Sequence, residues 1–232
     1  MRAMILAAGR GERMRPLTDT CPKPLLDVGG KPLIVWHIEK LAAAGVTDLV
    51  INHAWLGQRV EETLGDGRQW GVHIRYSPES TALETAGGIA HALPLLGDAP
   101  FMVINGDIFT DYDFAQLRPV MARMAQNAEC SGHLVLMPKA DYPTGRDLAV
   151  DTAGYAKAAG AGDVPMTFAG IAVYTPAFFA EVPQDQPSPL LPHFLRAMTA
   201  RQMTAEVFTG QWLDVGTVER LAAANDLVRS GG

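Results

Sequence analysis

Cysteine is scarce in this chain: Cys21 and Cys130 are the two thiols among 232 residues, and no CxxC or Cys/His spacing accompanies them. That excludes a disulfide framework and a zinc knuckle as organising devices, and free thiols in a reducing compartment are expected. Long apolar runs are missing too. The first, Ala3 to Ala8, is broken by Gly9-Arg10-Gly11-Glu12-Arg13, too short for the hydrophobic region of a signal peptide, and no later run approaches a membrane span. The expectation is a cytoplasmic protein with no membrane partner. Positive charge is in deficit, with 19 Lys and Arg against 25 Asp and Glu for a net charge of -6. A field of that sign opposes nucleic acid as a partner, and any smaller anion must find a locally basic site. The first 25 residues supply one, because Arg2, Arg10, Arg13, Arg15 and Lys23 stand there against Glu12 and Asp19.

Backbone-special residues are plentiful, with 23 Gly and 16 Pro, and 48% of the chain is hydrophobic, enough for a buried core. The apolar run Met4 to Ala8 predicts a buried strand ending at glycine. Pro32 then opens a helical pattern of Leu33, Ile34, Trp36, His37, Ile38, Leu41 and Ala44 that Gly45 closes. The cycle repeats: strand Asp48 to Asn52, helix Gln58 to Leu64, strand Val72 to Tyr76, helix Ala86 to Leu96, strand Phe101 to Ile104, helix Phe114 to Ala125, strand His133 to Met137. Such alternation predicts parallel strands with right-handed crossovers. Residues 138–165 turn Gly-, Ala-, Asp- and Pro-rich and read as a hairpin insertion, Leu148 to Val150 with Tyr155 to Lys157, over a pocket. A strand from Phe168 to Tyr174, a helix from Leu190 to Thr199 and a last helix beginning at the capping residue Thr217 complete a single expected domain, 1–232. His37, Trp36 and Trp55 read as packing residues, and Asp111 and Asp113 as a turn former and a helix cap.

A glycine-bearing turn after a first parallel strand is where α/β folds place phosphates, since exposed N–H groups converge there. The stretch Leu6 to Thr18 fails the dinucleotide fingerprint, because Met14 holds the third glycine's place and Pro16 interrupts the helix that should follow, and it lacks a Walker Gly-Lys-Ser/Thr. It is an extended loop carrying Arg10, Arg13 and Arg15, followed by Lys23 pinned between Pro22 and Pro24.

In this form the chain resembles the sugar-phosphate nucleotidyltransferase family, whose amino-terminal signature LAAGxGxRxxPLTxxxPKPLxxVxGxP is filled at every fixed position from Leu6 to Pro32. The likeness continues through Leu83-Glu84-Thr85-Ala86-Gly87-Gly88, Asn105-Gly106-Asp107 and Trp212-Leu213-Asp214-Val215-Gly216-Thr217. It implies a Rossmann-like three-layer α/β sandwich with a mixed, mainly parallel central sheet and a small sugar-side β insertion. The implied reaction joins a nucleoside triphosphate to a sugar 1-phosphate, with Mg²⁺ held by Asp107 and Asp214 and with Arg13, Lys23 and Asp107 as catalytic residues. The implied nucleotide contacts are Ala7, Gly9, Gly11, Glu12, Arg13, Lys23, Glu79, Glu84, Gly87 and Asn105. Asp147 and Gly170 are the implied sugar contacts. A carboxylate at position 79 accepts the N3–H of uracil or thymine and offers no donor, which disfavours a base presenting acceptors on that edge and suits UTP and dTTP alike. The phrases Asn52 to Gly57 and Leu95 to Pro100 are similar to the branch of the family that uridylylates N-acetylmuramate 1-phosphate in peptidoglycan recycling. Glucose 1-phosphate with dTTP or UTP, mannose 1-phosphate with GTP, and a non-catalytic nucleotide-sugar sensor are the alternatives, and oligomeric state is left open. Two departures stand out. Glu84 replaces the motif's usual glycine, and Ala158-Ala159-Gly160 stands where the family often has Glu-Lys-Pro. The missing lysine must be replaced by another cation, with Lys139, Arg146 and Lys157 the candidates. An N-acetylmuramyl acceptor, which adds a lactyl carboxylate, requires one further cation or N–H group.

Overall fold

The computed structural model describes residues 1–139, 142 and 145–231, which divide into two compact units. Three separated stretches, Met1–Ala82, Asn105–Ala115 and Gln211–Gly232, make the first. Its frame is a parallel ladder of Arg2–Leu6, Asp48–His53 and His73–Pro78, in register from Arg2 opposite Asp48 and from Asp48 opposite His73. Met4, Ile5, Val50 and Ile51 are wholly buried, as strands covered on both faces require.

The helix between the first two strands runs Leu33–Ala43, with Pro32 extended just before it rather than at its first position. It ends as predicted. Gly45 takes φ +77°, its N–H bonds to Ala42 O and the Val46 N–H to Leu41 O, both at 2.9 Å, so the last carbonyls are satisfied. His37 on this helix is 1% exposed, and among the described residues neither ring nitrogen has a hydrogen-bond partner. Burial pushes its pKa down to about 4, a shift the nearby Ile108 backbone opposes, Lys40 reinforces and Asp107 opposes. An unfolded histidine titrates near 6.5, so between those values the unfolded chain binds more protons, and stability is lost as pH falls from 6.5 to 4, by about 3 kcal/mol in total. Urea midpoints followed over that range should therefore fall more steeply for the wild type than for His37→Leu; parallel curves would contradict the assignment.

Two short antiparallel ladders, Asp27–Val28 with Lys31–Pro32 and Ile108–Thr110 with Trp212–Asp214, and the helix Val218–Arg229 complete this unit. Thr217 caps that helix, its hydroxyl accepting the Arg220 N–H at 3.3 Å. The helix is fastened to the segment after the glycine loop. Asn225 Oδ1 accepts the Gly29 N–H at 2.9 Å, Asn225 Nδ2 donates to Asp27 O at 3.2 Å, and Val228 fills the space beside Gly29 where a Cβ would come within 2.4 Å of it. Beneath lies a cluster of Met14, Leu26, Val28, Leu33, Val215 and Ala224.

The second unit comprises Leu83–Ile104 and Gln116–Gly210. Its long strand Met166–Tyr174 pairs antiparallel with both Phe101–Asn105 and Gly132–Pro138. Met203–Val207, which the sequence pattern does not announce, adds parallel to Gly132–Pro138. The expected hairpin forms as Leu148–Val150 with Ala156–Ala158. Helices Glu84–Leu96, Leu117–Gln126 and Leu190–Thr199 flank these strands, a single 3-10 turn at Phe114–Gln116 taking the place of the first turn expected of the second. Phe101, Tyr174, Phe178, Phe179 and Phe194 pack ring against ring at its centre. No helix among the described residues is long and apolar enough to cross a membrane.

Candidate active site

The first unit brings the glycine loop, Lys23, Asp107 and Asp214 together. Leu6 lies opposite Asn52 where the first two strands end, and from there a polar chain runs outward. The Ala7 N–H donates to Asn52 Oδ1 at 2.9 Å and Asn52 Nδ2 donates to Glu79 Oε1 at 2.6 Å, while the Glu79 N–H is held by His53 O at 2.8 Å. Asn52 and Glu79 are buried, 3% and 7% exposed. Position 79 is therefore a fixed acceptor tied to the start of the loop rather than a solvated turn residue. Asn52 is a candidate positioning residue that was not among the expected contacts; its signal in sequence is a polar side chain ending an otherwise apolar strand.

Within the loop, Gly9 has open space where a side chain would project. Gly11 takes φ +69°, and a Cβ there would press to 3.0 Å from Thr18 Cγ2 and 3.2 Å from Lys23 Cβ. The buried Thr18 hydroxyl donates to Gly11 O at 2.8 Å. Glu12 sits exposed in the single turn Glu12–Met14. The three arginines part company. Arg10 stacks 3.6 Å over the Trp55 ring and donates to Thr18 O, which also accepts the indole N–H, so both brace the loop. Arg15 pairs with Asp19 at 2.8 Å. Arg13 makes no hydrogen bond or ion pair among the described residues, and its Nη2 lies 2.7 Å from the place a Cβ on Gly216 would occupy. A guanidinium so placed is a planar fork available to an anion.

Asp107 follows Gly106, whose N–H donates to Leu6 O at 2.9 Å and whose added Cβ would stand 2.6 Å from that same oxygen. The missing side chain is what lets Asp107 come to the root of the loop. There its Oδ2 accepts Lys23 Nζ at 2.6 Å, the lysine stem buried and the carboxylate 39% exposed. Asp214 lies opposite Ile108 in the neighbouring ladder, and the Val215 N–H donates to Asp107 O at 2.8 Å, so both carboxylates stand at one end of the same pair of strands. The buried Asp214 accepts Arg220 Nη1 at 2.7 Å. Arg220 is a second residue the motifs did not single out, two positions inside the capped helix. Three cations thus surround two carboxylates, an arrangement that favours an anionic ligand. Two hard oxygen donors on adjoining strands suit a divalent cation whose remaining positions are taken by phosphate and water. No group of three or more His, Cys, Asp and Glu with metal-binding proximity occurs among the described residues.

Asn105 ends its strand, half-buried, two residues before Asp107. In the second unit Glu84 opens its helix with φ 57°, a left-handed conformation for which glycine is suited, so a side chain stands here on glycine-like backbone. Gly87 packs against backbone, where a Cβ would lie 2.5 Å from Gln186 O, and its N–H donates to Ser188 O at 3.2 Å. Gly170, φ +75°, sits inside the register shift between Phe168 and Ala172, the bulge at which Met166–Tyr174 changes its pairing. Asp147 accepts Lys139 Nζ, and Lys157 Nζ is held at 2.8 Å from both oxygens of Asp163.

A family model described as Nucleotidyl transferase matches residues 2–145. An N-acetylmuramate alpha-1-phosphate uridylyltransferase from Neisseria meningitidis serogroup B is 48% identical over 98% of this chain and 98% of its own. A mannose-1-phosphate guanyltransferase from Yarrowia lipolytica is 33% identical over 93% of this chain and 61% of its own longer one. Among solved structures, one from Bacillus anthracis assigned as a glucose-1-phosphate thymidylyltransferase, in complex with a sucrose, superposes with a TM-score of 0.85 at 23% identity, covering 100% of this chain and 97% of the other. That likeness fixes the fold as the Rossmann-like α/β sandwich with a mixed sheet.

Proposed function

Because the chain belongs to the nucleotidyl transferase family, we propose that it transfers UMP from UTP to N-acetylmuramate 1-phosphate, releasing pyrophosphate and forming UDP-N-acetylmuramate. The observation that carries the chemistry is the cluster of Lys23, Arg13 and Arg220 around Asp107 and Asp214; the choice of substrates is supported by the 48% identical relative.

A sugar 1-phosphate brings its own nucleophile, since its second ionisation lies near pH 6, and no side chain has to remove a proton. One of its oxygens attacks the α-phosphorus of UTP while the bond to the β-phosphate breaks in line with it. The residues have only to position two anions and offset their charge. Lys23, fixed by two prolines, stands between the α-phosphate and the incoming phosphate. Arg13 takes the β- and γ-phosphates as they depart, and the loop backbone at Gly9 and Gly11 approaches the triphosphate, Gly9 through its open face. Glu79, held by Asn52, accepts the N3–H of uracil. Asp107 and Asp214 would hold Mg²⁺, which when bound offsets phosphate charge and orients the leaving pyrophosphate. We place the reaction in the cytoplasm, as a salvage step for a cell-wall sugar.

The test is pyrophosphate release across a grid of nucleoside triphosphates and sugar 1-phosphates. UTP with N-acetylmuramate 1-phosphate should give the highest kcat/KM. Preference for dTTP with glucose 1-phosphate, or for GTP with mannose 1-phosphate, would reject the assignment.

A further inference from the structure

Leu6, Asn52 and Ser77 lie side by side in register where three neighbouring parallel strands end, all in the first unit. The side chain of the middle residue reaches both neighbouring exits. Its Oδ1 accepts the N–H of Ala7, at the root of the glycine loop, and its Nδ2 donates to Glu79 Oε1. Resting on the reading of Glu79 as the contact to the base, we propose that Asn52 is a specificity-determining positioning residue. It holds the side chain at position 79 in one orientation, and the order of its two amide arms decides which hydrogen-bonding group that side chain turns to the base, setting the preference for UTP over CTP.

Three observations carry this. The first is polarity. A backbone N–H can only donate, so the Ala7 N–H requires the oxygen of the Asn52 amide, and the arm left facing Glu79 is a donor that requires an acceptor there. Aspartate would offer acceptors on both arms and leucine neither. The second is burial. Asn52 and Glu79 are both buried, so a lost bond between them leaves an unpaired polar group rather than one that water takes over. The third is restraint. The Glu79 N–H is held by the carbonyl of His53, the residue after Asn52, so one strand end grips Glu79 by its backbone and by its carboxylate. Uracil presents an N3–H donor, and cytosine an N3 acceptor. A carboxylate held in place bonds to the first and opposes acceptor to acceptor in the second, whereas one free to turn could swing away from the mismatch.

The experiment measures kcat/KM for UTP and for CTP at saturating sugar 1-phosphate in the wild type and three variants. In Glu79→Gln the donor arm of Asn52 takes the new amide's oxygen, so its NH₂ faces the base, and the UTP/CTP ratio should fall by roughly tenfold or more. In Asn52→Asp/Glu79→Gln one carboxylate oxygen keeps the Ala7 N–H and the other takes the Gln NH₂, which turns the amide oxygen back to the base. That exchange conserves size and charge, and the ratio should return to within about threefold of wild type. Asn52→Leu, which makes neither bond, should raise KM for UTP roughly tenfold and KM for CTP far less, whereas a loss of fold alone weakens both alike. The same ratio in Glu79→Gln and in the double variant, or equal weakening of both nucleotides in Asn52→Leu, would overturn the role of Asn52. An unchanged ratio in Glu79→Gln would instead remove Glu79 as the base contact, and the inference with it.

Discussion

Asp107→Asn should lower kcat by about 10³ or more, with the melting temperature almost unchanged. The substitution is nearly isosteric, leaves an amide oxygen to accept from Lys23 and falls on a side chain already 39% exposed, so packing has little reason to respond. What is removed is the negative charge that pairs with Lys23 and that we propose as one of the two hard donors to Mg²⁺. The measurement is pyrophosphate release at saturating UTP and sugar phosphate, with Mg²⁺ titrated upward, beside a thermal melt of the same preparation. Activity within tenfold of wild type, with no rise in the Mg²⁺ concentration needed for half-maximal rate, would show that Asp107 is no metal ligand.

Lys23→Ala should be nearly as damaging, with a loss of about 10³ in kcat/KM, and Lys23→Arg should fail to restore it. Size is the reason for the second half. The lysine stem runs past Gly11 so closely that a Cβ on that glycine would already be 3.2 Å from Lys23 Cβ, and a wider planar head on the same stem must distort the loop or leave the site. Since Lys23 and Asp107 act as one pair, the double variant Lys23→Ala/Asp107→Asn should be little worse than the poorer single variant. The reverse reaction, pyrophosphorolysis of the nucleotide sugar, should fall by the same factor because the overall equilibrium is untouched. An active Lys23→Arg enzyme, or two losses that multiply, would break the argument.

Much of this was readable along the chain because it rests on local physics. Apolar runs between glycines mark the parallel strands, the glycine after a helical pattern marks the close of Leu33–Ala43, and two prolines mark Lys23 as a held cation. Asp113 reads as a cap, and its carboxylate does accept the Ala115 N–H at 2.9 Å. What stayed hidden depends on partners distant in sequence. Asn52 acquires its meaning from Ala7 and Glu79, and Arg220 from the carboxylate of Asp214 at the end of a ladder. The three arginines of the loop look alike until Trp55 and Asp19 claim two of them. Met203–Val207 carries only weak alternation, so its parallel partner rather than its own pattern makes it a strand. The replacement at position 84 was visible, but not the left-handed backbone on which Glu84 stands.

The way the first unit is gathered from Met1–Ala82, Asn105–Ala115 and Gln211–Gly232 also orders events on the ribosome. At about 5–20 residues per second, roughly 10–40 s separates the making of Lys23 from that of Arg229, which ends the helix bolted against Gly29. During that interval Met14, Leu26 and Val28 wait for Val215 and Ala224 to cover them, and Asp107 waits for its companion carboxylate. Residues of the second unit, all upstream of Gln211, have left the peptidyl-transferase centre before the proposed phosphate site can close. The glycine loop is thus made well before the residues that complete its unit, and a nascent chain stalled between Gln211 and Arg229 carries that loop without its proposed partners.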